Sequence, residues 1–196
     1  DNTNSDNVVS DDDAVVTYSV DFSEPIIDMV EGDITVDGGT LDAGSVSVAD
    51  DNMSATFSVT ATQESVDNLR VTIHDTVLDV HGNRLIETTS PDETVDTENP
   101  VIVDISSSFT NVERDDVVSD SDDVVSYTVS FSEAINTMAE TDISVSGGTL
   151  DAGSISIAGD RLSATFSVTA DQNSMDSLTV TVHNTVVDVH GNILIE

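Results

Sequence analysis

Between Thr88 and Pro100 the sequence TTSPDETVDTENP carries Asp92, Glu93, Asp96, Glu98 and Asn99 and no basic residue. Carboxylates this close repel one another and are too hydrophilic to bury, so their spacing calls for a cation among them. The whole chain has only four Lys and Arg to offer. A divalent ion held by oxygen ligands is the chemistry this pattern suggests. Pro91 and Pro100 fix their own φ and bias the preceding residues toward extended backbone. The stretch is therefore predicted to be a stiff inter-domain joint that holds such an ion. Acidic runs recur at Asp6–Asp13, which includes Asp11, Asp12 and Asp13, and at Asp115–Asp123, which includes Asp120 and Asp122. They lack the Gly and terminal Glu spacing of an EF-hand loop, so local cation binding and a merely solvated loop both stay open.

The elements around these acids come in two copies. Adding 109 to any position from Asp1 to Glu87 gives a counterpart without a gap, and about 56 of those 87 positions are identical. Phe22-Ser23-Glu24 returns as Phe131-Ser132-Glu133, and Asp79-Val80-His81-Gly82-Asn83 returns as Asp188 through Asn192. Each copy is large enough to support its own core. The expected division is 1–96 and 97–196. Val101–Phe109 has no counterpart after Asp1, which suggests an excerpt from a longer array of similar repeats.

A formal charge of −35 opposes compaction, disfavours nucleic acid and favours cations as partners. A solvated acidic surface suited to high salt is the plainer explanation of the same number. A hydrophobic fraction of 37% with clear strand patterns argues against disorder. With no Cys there is no disulfide and no thiolate zinc site, so a secreted module would need another cross-link. No apolar run is long enough to insert in a membrane.

Val16, Tyr18, Val20 and Phe22 alternate with polar residues, as do Val125, Tyr127, Val129 and Phe131. So do Met53, Ala55, Phe57 and Val59, with Leu162, Ala164, Phe166 and Val168 as counterparts, and then Leu69, Val71 and Ile73. Turn signals fall every 8–12 residues or so, and no stretch has a helical apolar stripe. The pattern predicts an all-β chain of antiparallel, Ig-like β-sandwiches joined end to end.

The repeat length, the FSE after the second strand, the D-V-H-G-N turn before the last and the DTENP joint together resemble bacterial Ig-like repeats. More narrowly, they resemble the extender repeats of very large, calcium-dependent RTX-type adhesins. The resemblance implies a monomeric extracellular stalk on the cell surface, of the kind that serves attachment and biofilm formation. Its partners would be neighbouring repeats and Ca2+. In an Ig-like order Glu133, Asp188 and Asn192 share a pole with Asp96, Glu98 and Asn99, while Asp11, Asp12 and Asp13 approach the joint from the first module. Glu24, Asp79 and Asn83 form the matching set in the first copy. These oxygen donors suit the 6–8 ligands that calcium takes.

His74 and His183 fall out of phase with the apolar face of their strand and are expected in solvent. His81 and His190, in turns beside Gly, are expected to be surface residues. No nucleophile motif or aromatic-lined cleft supports an enzyme, and the candidate acids Asp11, Asp13, Glu24 and Asp79 recur in the other copy, as a structural role per module would require. The alternative to a spacer is a binding module that contacts carbohydrate or a cell-surface protein.

Overall fold

Alternating β-branched and aromatic residues form strands along almost every stretch where the pattern predicts them. In the computed structural model, residues 7–109, 118–119, 123–172 and 175–195 are described. The chain divides into two compact units, Asp1–Glu98 and Asn99–Glu196. Among the described residues no helix is long and apolar enough to cross a membrane.

The first unit contains β1 (Val15–Asp21), β2 (Ile34–Asp37), β3 (Gly39–Leu41), β4 (Ser47–Val48), β5 (Ser54–Ala61), β6 (Arg70–Ile73) and β7 (Thr88–Thr89). β5 lies between β1 and β3 and also pairs with β4, all antiparallel. β6 lies between β2 and β7 in a second antiparallel sheet. The two sheets close on Phe22, Phe57, Val59, Leu69, Val71 and Ile73. Burial of these side chains drives the packing, at about 1.5–3 kcal/mol for each large apolar group.

The second unit contains β8 (Ile102–Phe109), β9 (Val124–Phe131), β10 (Ile135–Thr137), β11 (Ile143–Ser146), β12 (Gly148–Leu150), β13 (Ser156–Ile157), β14 (Ser163–Ala170), β15 (Thr179–Val182) and β16 (Val187–Asp188). Its principal sheet runs β12-β14-β9-β8, with β13 also on β14, while β11 pairs β15 and β10 pairs β16. Phe166, Val168, Val129, Ile135 and Leu194 fill its core. The all-β, antiparallel architecture agrees with the sequence reading. Leu162 does not: it is exposed, outside the inward row of Ala164, Phe166 and Val168, because β14 begins only at Ser163.

The stretch Thr88–Pro100 departs from the stiff connector expected of it. β7 pairs with β6, and Leu69 and Glu93 exchange two backbone hydrogen bonds of 2.9 Å. Val95 is 2% exposed within the first core, and Val9 bonds the backbone on either side of it. Thr97 is buried, and its hydroxyl donates to the Thr62 carbonyl at 2.7 Å. Two inward side chains at alternate positions suffice to dock an otherwise acidic strand. Composition hid them, because the acids occupy the outward positions.

Candidate metal centre

Many carboxylates here serve the backbone before they serve any ligand. Asp13 Oδ1 accepts from both the N–H and the hydroxyl of Ser10, at 2.8 and 3.0 Å, and so caps the 3-10 turn Asp11–Asp13. Asp33 and Asp142 each accept one backbone N–H and one Thr hydroxyl, from Thr76 and Thr185 respectively. Glu31 and Glu140 accept the N–H of Gly44 and Gly153. The acidity of the sequence is in part a supply of acceptors for loop N–H groups.

The same holds for the aspartate of the D-V-H-G-N turn. Asp188 is 1% exposed, and its Oδ1 accepts from the backbone N–H groups of His190, Gly191 and Asn192 at 2.8, 2.6 and 2.9 Å. Its Oδ2 accepts from the Asn192 side-chain amide at 2.8 Å. Asp79 repeats the arrangement in the first unit with His81 and Asn83. The Asn83 side-chain amide is the largest of the causes that hold the Asp79 carboxyl below its ordinary value, followed by opposition from desolvation and support from backbone donors.

The FSE loop is zipped to this turn. In the first unit Ile26 bridges Asp79, the Ile27 N–H donates to the Leu78 carbonyl at 2.8 Å, and the Val80 N–H donates to the Pro25 carbonyl. Phe22 and Ile26 anchor the loop in the core. Ligating atoms of Glu24, Asp79 and His81 consequently lie within 4.8 Å of one another, and Glu24 and Asp79 line a cleft of ≈ 580 Å³. In the second unit Ile135 pairs with Asp188, and the carboxylates of Glu133 and Asp188 also lie within 4.8 Å.

Among the other expected ligands, Asp96 accepts from the Glu98 N–H at 3.3 Å. Both residues end the first unit, and Asn99 opens the second. Asp12 is exposed and Asp11 half-buried. Asp120 and Asp122 lie outside the described residues.

His81 is exposed, as expected, and a ring nitrogen lies within 4.8 Å of carboxylate oxygens of Glu24 and Asp79. Two groups escaped the sequence reading. The cation beside Asp92 is a side chain: Arg70 Nε donates to Asp92 Oδ1 at 2.6 Å, and that bond is the first of the causes lowering the Asp92 carboxyl. Arg84 lines the same cleft as Glu24 and donates to the Asp75 carbonyl at 3.2 Å. The offset of 109 replaces Arg70 by Thr179 and Arg84 by Ile193, and these departures from the repeat were the available signal. His74 is likewise engaged rather than free, with Glu87 at 3.0 Å and Thr35 at 2.7 Å.

The donor set fits a hard cation in part. Glu24 with Asp79, and Glu133 with Asp188, bring carboxylate oxygens together, but each aspartate already accepts several N–H groups. An ion there would take one remaining lone-pair direction of the aspartate and complete its shell with water and further oxygens.

Residues 104–194 match the family model of a bacterial Ig-like domain, a span that runs from inside β8 to the final pairing of the second unit. The match supports the bacterial Ig-like class, whose members are typically non-catalytic and commonly surface-exposed or extracellular modules. No curated protein matches the chain.

Proposed function

We propose that this chain is a non-catalytic extender segment of a bacterial cell-surface adhesin, rigidified by calcium so that a distal adhesive tip is held away from the cell. The observation that carries the reading is the recurrence of one carboxylate pair at the same place in each unit, Glu24 with Asp79 and Glu133 with Asp188, within 4.8 Å in both. Two like charges that close repel by about 1 kcal/mol in water-like surroundings and by more where water is excluded. A divalent ion reverses that sign. Asp96, Glu98 and Asn99 are the connector residues proposed to complete the shell where successive modules join, and Asp11, Asp12 and Asp13 are proposed to approach from the preceding module. The repeat, the match to a bacterial Ig-like domain and the absence of Cys support the reading.

At ~100 times its dissociation constant, each bound ion adds about 2.7 kcal/mol of stability. The expected result is a melting temperature several degrees higher in millimolar calcium than in EDTA, with poor rescue by magnesium, and a longer, narrower distance distribution by small-angle scattering. Glu133→Gln should shrink both differences and, by removing one of the two repelling charges, melt no lower than wild type in EDTA. Identical melts and scattering with and without calcium would remove the ion, and with it the rigidified stalk.

A further inference from the structure

Any pull that reaches the first unit from the second arrives at Glu98, and the segment Thr88–Thr97 is what it meets. That segment lies along β6 for most of its length. Thr88 and Thr89 pair with Ile73 and Thr72, the Ser90 N–H donates to the Val71 carbonyl at 2.8 Å, and Glu93 exchanges bonds with Leu69. Past Glu93 the grip passes to other partners. The Val9 N–H donates to the Thr94 carbonyl at 2.9 Å, and the Val9 carbonyl accepts from the Asp96 N–H at 2.8 Å, which pairs Val9 in parallel with Val95. Thr97 is held by the loop Thr62–Ser65. Its N–H donates to the Ser65 carbonyl at 2.9 Å and its carbonyl accepts from the Glu64 N–H at 3.1 Å. Its hydroxyl accepts from the Ser65 N–H at 3.1 Å and donates to the Thr62 carbonyl at 2.7 Å.

The grip is dry and anchored. Val95 and Thr97 are buried, so water cannot replace a bond that opens there. Val9 packs against the core, and the neighbouring Ser10 is buried and bonded to Asp13. Glu64, whose N–H holds the Thr97 carbonyl, keeps a left-handed φ of 53°, a strained setting for a side-chain-bearing residue that persists where its surroundings over-determine it.

The direction of loading follows from the repeat. The second unit begins beside Ile195, whose N–H donates to the Pro100 carbonyl at 3.0 Å. By the offset of 109 Ile195 corresponds to Ile86, which precedes Thr94 by eight residues. Extended chain of that length spans about 26 Å. A unit therefore takes up tension near one end of this segment and hands it on at the other. Hydrogen bonds that cross the strand axis are then strained together, not one after another. We propose that the first unit is a load-bearing module, in which Thr88–Thr97, locked by Val9 and the Thr62–Ser65 loop, is a shear latch that sets the resistance to pulling. The stalk reading supplies the source of the load, but the latch needs no ion.

The test pulls the full chain by its two ends in a single-molecule force experiment, in EDTA. Unfolding under force reads the unfolding barrier, not the equilibrium stability. One unfolding event is expected from each unit. Thr97→Val should weaken one event and spare the other, whereas Thr97→Ser, which keeps the hydroxyl, should stay near wild type. Gly44→Ala, in a turn away from the latch, is the control for a general loss of stability. If Thr97→Val loses no more force than Gly44→Ala, for the same fall in denaturant midpoint, the proposal is overturned. Because the protein has no Cys, cysteines placed as Gln63→Cys and Glu98→Cys give a second pulling direction, across the strand. There the Thr97 bonds open in turn, and rupture is expected at roughly half the end-to-end force. Equal forces in the two directions overturn the latch as well. Both experiments run without calcium, so their failure speaks against the latch alone, while melts and scattering with and without the ion decide the calcium reading.

Discussion

Asn83 donates its backbone N–H and its side-chain amide to opposite oxygens of Asp79, at 2.8 and 2.7 Å, and Asn192 repeats both bonds on Asp188. Each turn is thus closed by a carboxylate before any cation arrives. The aspartate orients the loop by accepting its backbone N–H groups.

The division of labour is separable by mutation. Asp188→Ala removes the acceptor of three backbone N–H groups and one amide at a site with almost no solvent access. Buried donors left without acceptors cost about 1–3 kcal/mol each where water cannot replace the oxygen, so the second unit should lose roughly 3 kcal/mol, in EDTA as well as in calcium. Asp79→Ala, in a turn open to solvent, should lose less. Denaturant midpoints of both variants check this, and an Asp188→Ala protein as stable as wild type in EDTA would show that the turn does not need its carboxylate.

A pH titration tests the charge pairs. Asp79 and Asp92 are held below their ordinary values, by Asn83 and Arg70 respectively. Groups depressed by folding add stability that is present above the unfolded value, near 4, and is lost as pH falls through the folded value. Protonating the remaining acids relieves repulsion and works in the opposite direction, so the net slope alone decides nothing. The difference between wild type and Asp92→Asn does decide. It should favour wild type at pH 7, shrink in high salt and vanish as the pH falls through the lowered folded value of Asp92. A difference that stays constant across that range would mean that Arg70 and Asp92 do not interact as charges.

Legibility followed the length over which a pattern acts. Val16, Tyr18, Val20 and the row Ala55, Phe57, Val59 were readable because period-2 alternation over a full strand reports directly on burial. Val95 and Thr97 were not, since two inward residues among Asp92, Glu93, Asp96 and Glu98 make too short a pattern to outweigh the surrounding charge. The pairing of FSE with the D-V-H-G-N turn came from strand order and a resemblance. Its internal chemistry did not: nothing in the spacing of Asp79 and Asn83 says that the aspartate faces its own backbone rather than a metal.

Two glycines with the same φ separate backbone strain from collision. Gly38 at φ 75° and Gly44 at φ 74° both occupy left-handed backbone that side chains resist. A Cβ on Gly44 would meet nothing within 4 Å, whereas one on Gly38 would run into the Asn68 carbonyl. Gly44→Ala should therefore cost about 1 kcal/mol, the conformational penalty alone. Gly38→Ala should cost roughly 2–4 kcal/mol, because the backbone of the loop before β6 must also shift. Equal midpoints for the two variants would show that the loop yields freely.

The unpartnered hydroxyl of Tyr18 gives the last prediction. Its ring stacks on Phe57 with centroids 5.5 Å apart and planes 10° from parallel, so the ring contributes to the core while the oxygen does not. Desolvation pushes the Tyr18 hydroxyl above its ordinary value, with Glu93 adding in the same direction. A raised phenol adds stability that is fully present below the unfolded value near 10 and is lost as pH rises through the folded one. Tyr18→Phe keeps the ring and deletes both liabilities. At neutral pH it should leave stability unchanged or raise it by up to about 1 kcal/mol. Above pH 10 it should remove part of the alkaline loss shown by wild type. Phe57→Ala, which empties the other half of the stack, should cost about 3–5 kcal/mol. Melts at pH 7 and pH 11 read all three effects. A Tyr18→Phe protein clearly weaker than wild type at pH 7 would mean that the hydroxyl is held after all.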